Sequence, residues 1–323
     1  MPSVSYVVTV YNKALVLPFL IAGLGAQEGC FEREFIFIDD GSTDDSVELL
    51  RSLTGSWSRV TIVSQANSGP AVALNAGVRR ARGDFIKPMD GDDILLPWAT
   101  RRLLEAIEAT GCAVAFGLST APYDIAGSPD DTIAACVHAP GRIERCVDML
   151  RRSLRRAQTN PSTWLARADA VRRSRGCDER VFIQDYSIEL RLAALGCFAQ
   201  LQEAIMRGPA AAPGRLNDNQ AQILHDVNLA LAYFLADHPV LPRDVARFAF
   251  VRAASRAWRW SRRHGSGSLA STEFRRVCGA RLGLLRPTPR NVLATCATFA
   301  KTNSIRVPIA SRGILGSSSP DRV

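Results

Sequence analysis

The first 98 residues alternate between short apolar runs and polar segments that contain glycine. Four of the apolar runs are rich in β-branched and aromatic residues, which predicts strands at 5–12, 34–38, 60–64 and 84–89. The stretches between them have helix-compatible apolar positions and predict helices at 14–27, 45–53 and 69–82. Ser42 or Thr43 is expected to cap the second helix. Strands that alternate with helices indicate an α/β protein with a largely parallel sheet.

Farther along, the pattern becomes mainly helical. A helix rich in arginine is predicted at 142–158, where apolar residues recur at helical spacing: Ile143, Val147, Leu150 and Leu154. Amphipathic helices are predicted at 219–237 and 243–263. Residues 208–219 contain several glycines and prolines and are expected to form a mobile loop. Residues 300–323 are rich in Ser, Gly and Pro, and their end is expected to be disordered.

One predicted strand ends in three carboxylates within four residues, Asp90, Asp92 and Asp93. At an effective dielectric of about 20, charges this close repel by several kcal/mol, and a divalent cation is the simplest remedy. Asp90 and Asp92 point the same way on an extended strand end, and Gly91 lets a ligand approach the backbone. Hard carboxylate oxygens suit Mg²⁺ or Mn²⁺. The alternative is a solvated acidic turn before a helix that begins near Pro97.

Polar side chains also follow the other strands. Tyr11 lies at the end of the first strand, and Asp39 and Asp40 follow the second. In open α/β sheets, ligands bind beyond the carboxyl ends of the strands. A single carboxylate there is ordinary, whereas carboxylates at neighbouring strand ends, with Asp90 and Asp92 at the fourth, indicate a functional site.

These motifs resemble those of the family 2 glycosyltransferases of the GT-A fold. The order and spacing match over residues 4–98, and a weaker match continues to about residue 205. The stronger motifs lie at 8–12, 38–44, 67–69, 73–77, 83–86 and 90–93, and the weaker ones at 160–163, 176–179 and 184–186. The resemblance implies a Rossmann-like α/β/α catalytic domain over 1–215 with a mostly parallel central sheet. A helical, Arg-rich C-terminal region over 216–323 is expected to follow it.

The resemblance assigns the nucleotide pocket to five matched positions. It implies that Thr9 and Tyr11 line the pocket of the base. Asp39 is implied to accept a hydrogen bond from the base, typically from uracil N3, and Asp40 to support the turn beside it. Asn67 is implied to belong to the same donor pocket.

The resemblance also assigns the chemical groups. Asp90 and Asp92 are implied to be the Asp-x-Asp site for Mg²⁺ or Mn²⁺, with Asp92 the direct ligand and Asp90 closer to the ribose. Asp185 is implied to be the general base. The chain departs from the family where Gln184 stands in place of the usual Glu before the base. A second departure is Leu74, where many members carry an Arg that contacts the diphosphate.

Two basic features have alternative interpretations. Arg215 in the predicted loop is a candidate contact for the donor diphosphate, and the alternative is a plain surface arginine. Residues 241–323 carry 16 Lys+Arg against three Asp+Glu, a charge of +13, while the rest of the chain carries −4. The predicted helix at 243–263 combines a row of arginines with Trp258 and Trp260, which suits an anionic membrane surface. It suits equally a helix packed on the protein with an arginine-coated exterior.

Composition places the chain among globular proteins, with 47% apolar and 22% charged residues. No run of 18 apolar residues is present, and the start of the chain predicts a strand and not a signal peptide. Eight cysteines occur without a Cys-x-x-Cys pair, which argues against zinc and against a disulfide framework. A reducing cytoplasm is therefore expected, with a possible peripheral position at the inner face of the membrane.

The expected activity is metal-dependent, inverting hexosyl or hexosaminyl transfer from a nucleoside-diphospho-sugar, a UDP-sugar by preference, to a hydroxyl. The expected acceptor is a sugar or glycolipid of surface polysaccharide synthesis. One alternative is a sugar-phosphate nucleotidyltransferase, although residues 10–13 lack the Gly-rich phosphate loop that this activity needs. Another is a basic lipid- or nucleic-acid-binding protein with a non-catalytic GT-A-like domain. No nucleic-acid recognition motif is present, so a nucleic-acid partner is not expected.

Overall fold

The computed structural model describes residues 1–210, 219–265, 267–301 and 305–306. Its first part alternates strands and helices: β1 (Ser3–Val10), α1 (Leu17–Gly25), β2 (Glu32–Asp39), α2 (Ser46–Thr54), β3 (Val60–Ser64), α3 (Pro70–Arg80) and β4 (Phe85–Asp90). The predicted alternation is confirmed, and the ends of the elements shift by only a few residues.

The strand β1 lies in the middle of a parallel group. It pairs with β2 on one side and with β4 on the other, and β3 extends the group beyond β2. Successive side chains of β1 face opposite sides of the sheet. Tyr6 and Val8 therefore join one core with Phe37, whereas Val7 joins a second core with Leu74. Because both faces are buried, polar groups of these strands gather where the strands end.

The rest of the sheet is mixed. The following elements are β5 (Ile94–Leu95), α4 (Ala99–Thr110), β6 (Val114–Ser119), α5 (Pro129–Ala134), β7 (Ile143–Cys146), α6 (Met149–Arg155), β8 (Trp164–Arg167), α7 (Ala168–Arg173), α8 (Asp185–Ala193) and β9 (Phe198–Arg207). The strand order is β3-β2-β1-β4-β8-β6-β9-β5, and β7 pairs with β9. Because β8 is antiparallel to both β4 and β6, β6 runs in the same direction as β4.

The prediction of a single helix at 142–158 is wrong. Its first part forms β7, in which Ile143 lies opposite Leu201 of β9, and only Met149–Arg155 is helical. Val147, expected on the apolar side, is 73% exposed between the two elements. An available neighbouring strand supplies backbone partners that outweigh a local helical pattern.

Contacts divide the chain into two compact units. The first comprises Met1–Cys177 and Ile188–Arg215 and contains the whole sheet. The second comprises Asp178–Ser187 and Leu216–Val323. The short segment 178–187, which carries Asp185, therefore belongs by its contacts to the helical unit, although its chain neighbours belong to the α/β unit.

The helical unit is built from α9 (Gln220–Asp237), α10 (Arg243–Arg263), α11 (Thr272–Leu282), α12 (Pro289–Leu293) and α13 (Ala297–Ala300). The aromatic side of α10 packs inside this unit, where Trp260 meets Phe299 and Trp258 meets Phe274. The structure therefore supports the packed interpretation of α10. Within the described residues, every helix is too short or too polar to cross a bilayer.

One disulfide departs from the expectation drawn from the cysteine spacing. Cys112 and Cys197 are bonded in the α/β unit, 85 residues apart in sequence. The other six cysteines are free thiols. A pair this distant leaves no spacing signal, because only the approach of the segment before β6 to the segment before β9 brings the two sulfurs together.

Candidate functional site

Strand register places predicted site residues side by side at the carboxyl edge of the sheet. Thr9 of β1 lies beside Asp90 of β4, and Val10 lies beside Asp39 of β2. Asp39 is buried, whereas Thr9 and Asp90 are partly exposed. Tyr11 follows β1 directly and is 44% exposed, so its ring is available to a ligand.

The loop after β1 is tied to the loop after β2. Asn12 has a φ of 51°, in the left-handed region that few non-glycine residues adopt. Its Oδ1 accepts a hydrogen bond from the Thr43 N–H at 2.7 Å, and its N–H donates to Ser42 Oγ at 2.9 Å. Neither Ser42 nor Thr43 caps α2, contrary to the prediction, because both are engaged by Asn12. The N-cap position is Asp45, without a side-chain hydrogen bond.

The carboxylates that end β2 hold the neighbouring turns. Asp39 Oδ1 accepts from the Ser42 N–H at 3.1 Å. Asp40 is buried and accepts three hydrogen bonds from the turn before α3: from Gln65 Nε2 at 2.8 Å, from the Ser68 N–H at 2.9 Å and from the Gly69 N–H at 2.8 Å. Three donors on one buried carboxylate fix the shape of this turn. The turn also carries Asn67, whose side chain is exposed.

The acidic turn after β4 is held from several sides. A Cβ at Gly91 would lie 2.8 Å from the Thr9 carbonyl oxygen, so only glycine allows this close approach. The Asp90 N–H donates to Ser162 Oγ at 3.0 Å, and the Tyr123 hydroxyl donates to the Asp92 carbonyl at 2.8 Å. The backbone that carries the two predicted metal ligands is therefore fixed before any ligand binds.

A lysine from the loop after β1 reaches this turn. Lys13 Nζ lies 2.5 Å from Asp92 Oδ2, and both side chains are mostly buried. The Lys13 N–H donates to Ser46 Oγ at 2.8 Å, which positions the residue at the start of α2. One carboxylate of the Asp-x-Asp pair is thus neutralised by a cation of the protein itself.

A second lysine lies beneath the turn. Lys87 of β4 is fully buried, and its Nζ donates to the carbonyl oxygens of Pro88 at 2.9 Å and Ser162 at 2.8 Å. Burial lowers the pKa of Lys87 to about 7, and the nearby Asp93 and Asp90 carboxylates oppose that shift. Lys87 therefore connects β4 to the segment that supports Asp90.

The segment before Ser162 is anchored by a buried glutamate of α8. Glu189 accepts hydrogen bonds from the Gln158 N–H, from the Thr159 N–H and from the Thr159 hydroxyl, at 2.9 to 3.0 Å. Burial raises the pKa of Glu189, and these donors partly offset the shift. The predicted motif at 160–163 thus has a defined structural role in supporting the acidic turn.

The donor set at this edge fits a hard divalent ion. Asp90 and Asp92 offer carboxylate oxygens, which Mg²⁺ and Mn²⁺ prefer. Among the described residues there is no group of three or more His, Cys, Asp or Glu side chains arranged to hold a metal. Two carboxylates suffice for Mg²⁺ when substrate phosphates complete its coordination. Lys13 contacts one of these carboxylates, so an ion would have to displace or share that contact.

Asp185 stands at the start of α8 and is partly exposed. It belongs to the helical unit, whereas Asp39, Asp90 and Asp92 belong to the α/β unit. Gln184, which replaces the usual glutamate, is buried. Arg215, the predicted diphosphate contact, lies outside the described residues.

Leu74 is buried in the core of the α/β unit with Val7 and Ile38. The residue that replaces the family's arginine therefore contributes packing. Any cation for the diphosphate has to come from elsewhere in the chain. Lys13 forms an ion pair with Asp92 of the acidic turn.

Lys13 and Lys87 are the residues that sequence reasoning missed. A signal was available, because the chain has 37 arginines and only three lysines: Lys13, Lys87 and Lys301. Two of those three, Lys13 and Lys87, lie close to carboxylates of the acidic turn. Lysine is a compact charge on a flexible stem, whereas arginine presents a planar fork, so these two residues differ in shape from the usual cation of this chain.

A cavity of about 540 Å³ opens at the opposite edge of the sheet. It is lined by residues near the start of β2 and β3, among them Arg33, Phe35, Trp57 and Arg59. Its position at the amino ends of these strands separates it from Asp39, which ends β2. It is therefore distinct from the site described above.

Comparison with known proteins shows what the first part of the chain is similar to. Residues 5–129 match the family described as glycosyl transferase family 2. The succinoglycan biosynthesis protein ExoO of Rhizobium meliloti is 36% identical over 114 residues, which are 35% of this chain and 32% of that protein. Chondroitin synthase of Pasteurella multocida is 35% identical over 104 residues, 32% of this chain and 11% of that protein. The match thus spans a third or less of the length of these relatives.

Solved structures extend the likeness to the whole fold. The S. aureus TarS 1-349 structure in complex with UDP-GlcNAc has a TM-score of 0.63 at 15% identity and covers 95% of this chain and 93% of that chain. The mannosyltransferase PcManGT from Pyrobaculum calidifontis, in complex with GDP-Man and Mn²⁺, has a TM-score of 0.55 at 16% identity. It covers 92% of this chain and 85% of that chain. The family model thus matches residues 5–129, and the solved structures show that the chain has the GT-A fold.

Proposed function

We propose that this chain is an inverting glycosyltransferase that moves a hexosyl or hexosaminyl group from a UDP-sugar to a hydroxyl acceptor. The observation that carries the proposal is the register that brings Thr9, Asp39 and Asp90 together beside Tyr11 at the carboxyl edge of the parallel strands. Support comes from the family match and from the UDP-GlcNAc and GDP-Man complexes of the structural neighbours.

In this proposal the nucleotide base binds between Tyr11 and Asp39. The exposed Tyr11 ring supplies a stacking surface, and Asp39 supplies an acceptor for a base N–H. Thr9 lines the floor of the pocket. Asp40 keeps the turn that carries Asn67 in place, as its three backbone and side-chain donors indicate.

Asp90 and Asp92 would hold Mg²⁺ or Mn²⁺, and the Mn²⁺ of the PcManGT complex supports this choice. When bound, the ion supplies a Lewis acid that stabilises the charge of the departing nucleoside diphosphate. Lys13 holds Asp92 in place and adds a positive charge at the same point. Arg215 is proposed as a further contact to the diphosphate.

Asp185 is proposed as the general base. It would accept the proton of the acceptor hydroxyl as that oxygen attacks the anomeric carbon from the side opposite the leaving diphosphate, which inverts the configuration. A general base must lie within hydrogen-bond reach of the proton it removes. The relatives named for succinoglycan and chondroitin synthesis support a sugar or glycolipid of a surface polysaccharide as the acceptor.

A donor-hydrolysis screen across UDP-, GDP- and other nucleoside-diphospho-sugars, with Mn²⁺ and with excess chelator, tests this function. We expect the protein to release the nucleoside diphosphate from one of these donors in the presence of Mn²⁺. The release should stop when excess chelator removes the metal. No release from any donor, together with nucleotidyl transfer from a sugar phosphate and a nucleoside triphosphate, would replace the proposal by the nucleotidyltransferase alternative.

The proposed contact with an anionic membrane, at the cytoplasmic face, rests on the turn after α11. Leu282 and Leu284 are 71% and 77% exposed on either side of Gly283, whose φ of 76° ends the helix. Residues 274–300 contain five arginines and no Asp or Glu. Each arginine near an anionic bilayer contributes about 1 kcal/mol, and exposed leucines add insertion into the lipid.

Co-sedimentation with liposomes tests this contact. Binding to vesicles with anionic lipid, and not to neutral ones, is expected to fall when Leu282 and Leu284 are both replaced by Ser. Leu269→Ser is the matched control, because Leu269 is 72% exposed elsewhere in the same unit. Equal loss in the control, or no binding by the wild-type protein, would remove the membrane from the proposal.

A further inference from the structure

We propose that the helical unit is part of the catalytic machinery, because Asp226 of α9 and Arg256 of α10 position the segment that carries Asp185. The inference rests on the proposed function, in which Asp185 is the general base. Asp226 and Arg256 are positioning residues in this scheme, since both act through the backbone and side chains that flank Asp185.

The attachment before Asp185 is a backbone hydrogen bond to a buried carboxylate. The Ile183 N–H donates to Asp226 Oδ2 at 3.0 Å, two residues before the proposed base. Asp226 is itself held by Gln222 Nε2 at 2.9 Å and lies 2.7 Å from His225 Nδ1. A buried carboxylate with this many partners has little freedom to move, so the Ile183 backbone is held with it.

The attachment after Asp185 is a side-chain contact. Arg256 forms a hydrogen bond with Tyr186, the residue next to the proposed base. The Tyr186 side chain is buried. Its Nη1 donates to Asn228 Oδ1 at 2.7 Å, and Asn228 Nδ2 donates in turn to Thr295 Oγ1 at 2.8 Å. The network joins α9, α10 and the chain before α13, so the position of Tyr186 depends on the assembled helical unit.

The start of the same segment is anchored as well. Arg180 pairs with Asp178 and with Asp237 at the end of α9, each at 2.6 Å, and its guanidinium lies 4.0 Å from the centre of the Tyr233 ring. Within the segment, the Asp178 N–H donates to Ser187 Oγ at 3.0 Å. The segment 178–187 is therefore attached to the helical unit at three points: near its beginning, before Asp185 and after Asp185.

Buried charges are a costly way to pack a short segment, because each must be desolvated and fully partnered. Their advantage is geometric, since a hydrogen-bonded carboxylate or guanidinium allows one arrangement where apolar packing allows several. A general base needs such a fixed position, because a misplacement of the catalytic group by about 1 Å can lower the rate about 10²-fold. Attachment of the segment through charged, hydrogen-bonded residues is therefore consistent with a role of these residues in positioning Asp185.

The test compares four single variants of the full-length protein. Asp226→Ala removes the acceptor for Ile183, and Arg256→Met removes the partner of Tyr186. Glu273→Ala is the matched control, because Glu273 is a buried carboxylate of the same unit. Its carboxylate accepts hydrogen bonds from Thr298 Oγ1 and Lys301 Nζ, which lie outside residues 178–187. Arg256→Lys is included as the conservative variant that retains a donor.

Four quantities are measured below the melting transition of every variant: the kcat of transfer, the donor Kd, the melting temperature and amide hydrogen exchange in peptides that cover 178–187. Asp226→Ala and Arg256→Met are expected to lower kcat by about 10- to 100-fold. Donor Kd should stay within about twofold, and exchange in 178–187 should become faster. Glu273→Ala is expected to lower the melting temperature without these changes, and Arg256→Lys to restore part of the kcat.

The proposal is overturned if Glu273→Ala lowers kcat as much as Asp226→Ala does, because loss of stability alone would then explain the result. It is also overturned if exchange in 178–187 accelerates while kcat stays at the wild-type value. Failure of the proposed function has a different signature. The wild-type protein would then show no transfer, or Asp185→Asn would retain it, whatever the exchange of this segment shows.

Discussion

Lys13 Nζ lies 2.5 Å from Asp92 Oδ2, so a cation of the protein itself holds the carboxylate that is proposed to bind the metal. The two residues are 79 positions apart and meet because β1 and β4 are neighbouring parallel strands whose carboxyl ends share one edge. The contact gives the acidic turn a positive partner before donor and metal arrive. It also sets up a competition between Lys13 and the metal for the same oxygen atom.

Replacement of Lys13 by Met should strengthen Mn²⁺ binding in the absence of donor. The expected change is about 3- to 10-fold in Kd, because a partly buried ion pair of about 1 kcal/mol no longer competes with the metal. Isothermal titration or electron paramagnetic resonance of bound Mn²⁺ measures it. Lys301→Met, at a mostly exposed lysine that pairs with Glu273, is the control and should leave the Kd unchanged. Weaker Mn²⁺ binding by the Lys13 variant would contradict the competition.

Asp92→Asn should lose most turnover and most dependence on divalent ions. The amide keeps the shape of the side chain but removes the negative charge that attracts both the metal and Lys13. A drop of at least about 10²-fold in kcat is expected, measured as release of nucleoside diphosphate over a range of Mn²⁺ concentrations. Full activity of this variant, or of the wild-type protein in excess EDTA, would exclude the metal role.

Asp185→Asn should lower the rate of transfer by about 10²- to 10⁴-fold, the usual contribution of a general base. Donor affinity should barely change, since the proposal places the donor on other residues. Single-turnover transfer and donor titration separate the two quantities. A collapse of donor affinity with an unchanged rate per bound donor would assign Asp185 to the donor site instead.

Lys87 should give the protein a pH-dependent stability. Burial lowers its pKa from 10.5 to about 7 in the folded protein. Below pH 7 both states bind the proton, and above about 10.5 neither does, so stability is unaffected by pH in those ranges. Between them the unfolded chain binds more protons, and the free energy of unfolding rises with pH by about 1.4 kcal/mol per unit.

Urea unfolding of the wild-type protein and of Lys87→Met, at pH values from 7 to 9.5, measures this effect. The difference between the two free energies cancels the titration of other groups, and it should increase with pH in favour of the wild type. The variant also loses two hydrogen bonds to the carbonyls of Pro88 and Ser162, which adds an offset independent of pH. A flat difference across this range would show that Lys87 keeps an ordinary pKa.

Much of the α/β unit could be predicted because its signals are local. The β-branched runs around Val7, Ile36 and Ile62 specify strands by composition and period, and the intervening segments specify helices. Parallel strands then require their carboxyl ends to share one edge. For that reason the neighbourhood of Thr9, Asp39 and Asp90 follows from the sequence without any knowledge of distances.

The contacts at that edge could not be predicted in the same way. Sequence pattern places Lys13 in a loop and Lys87 in a strand, but the Asp92 contact of one and the full burial of the other depend on how the loops fold over the strand ends. Ile143 likewise has a helical pattern and becomes a strand residue because β9 offers it a partner. In each case the deciding partner is remote along the chain.

The sequence by itself determined the order of strands and helices, the acidic edge and the resemblance to a family, because periodicity, turn residues and motif spacing are properties of short stretches. Only the tertiary structure decided which cation meets Asp92, which cysteines join and to which unit Asp185 belongs. The segment 178–187 looks in sequence like a continuation of the α/β unit. It groups with the helices because its hydrogen-bonding partners, Asp226 and Arg256, lie 40 or more residues farther along the chain.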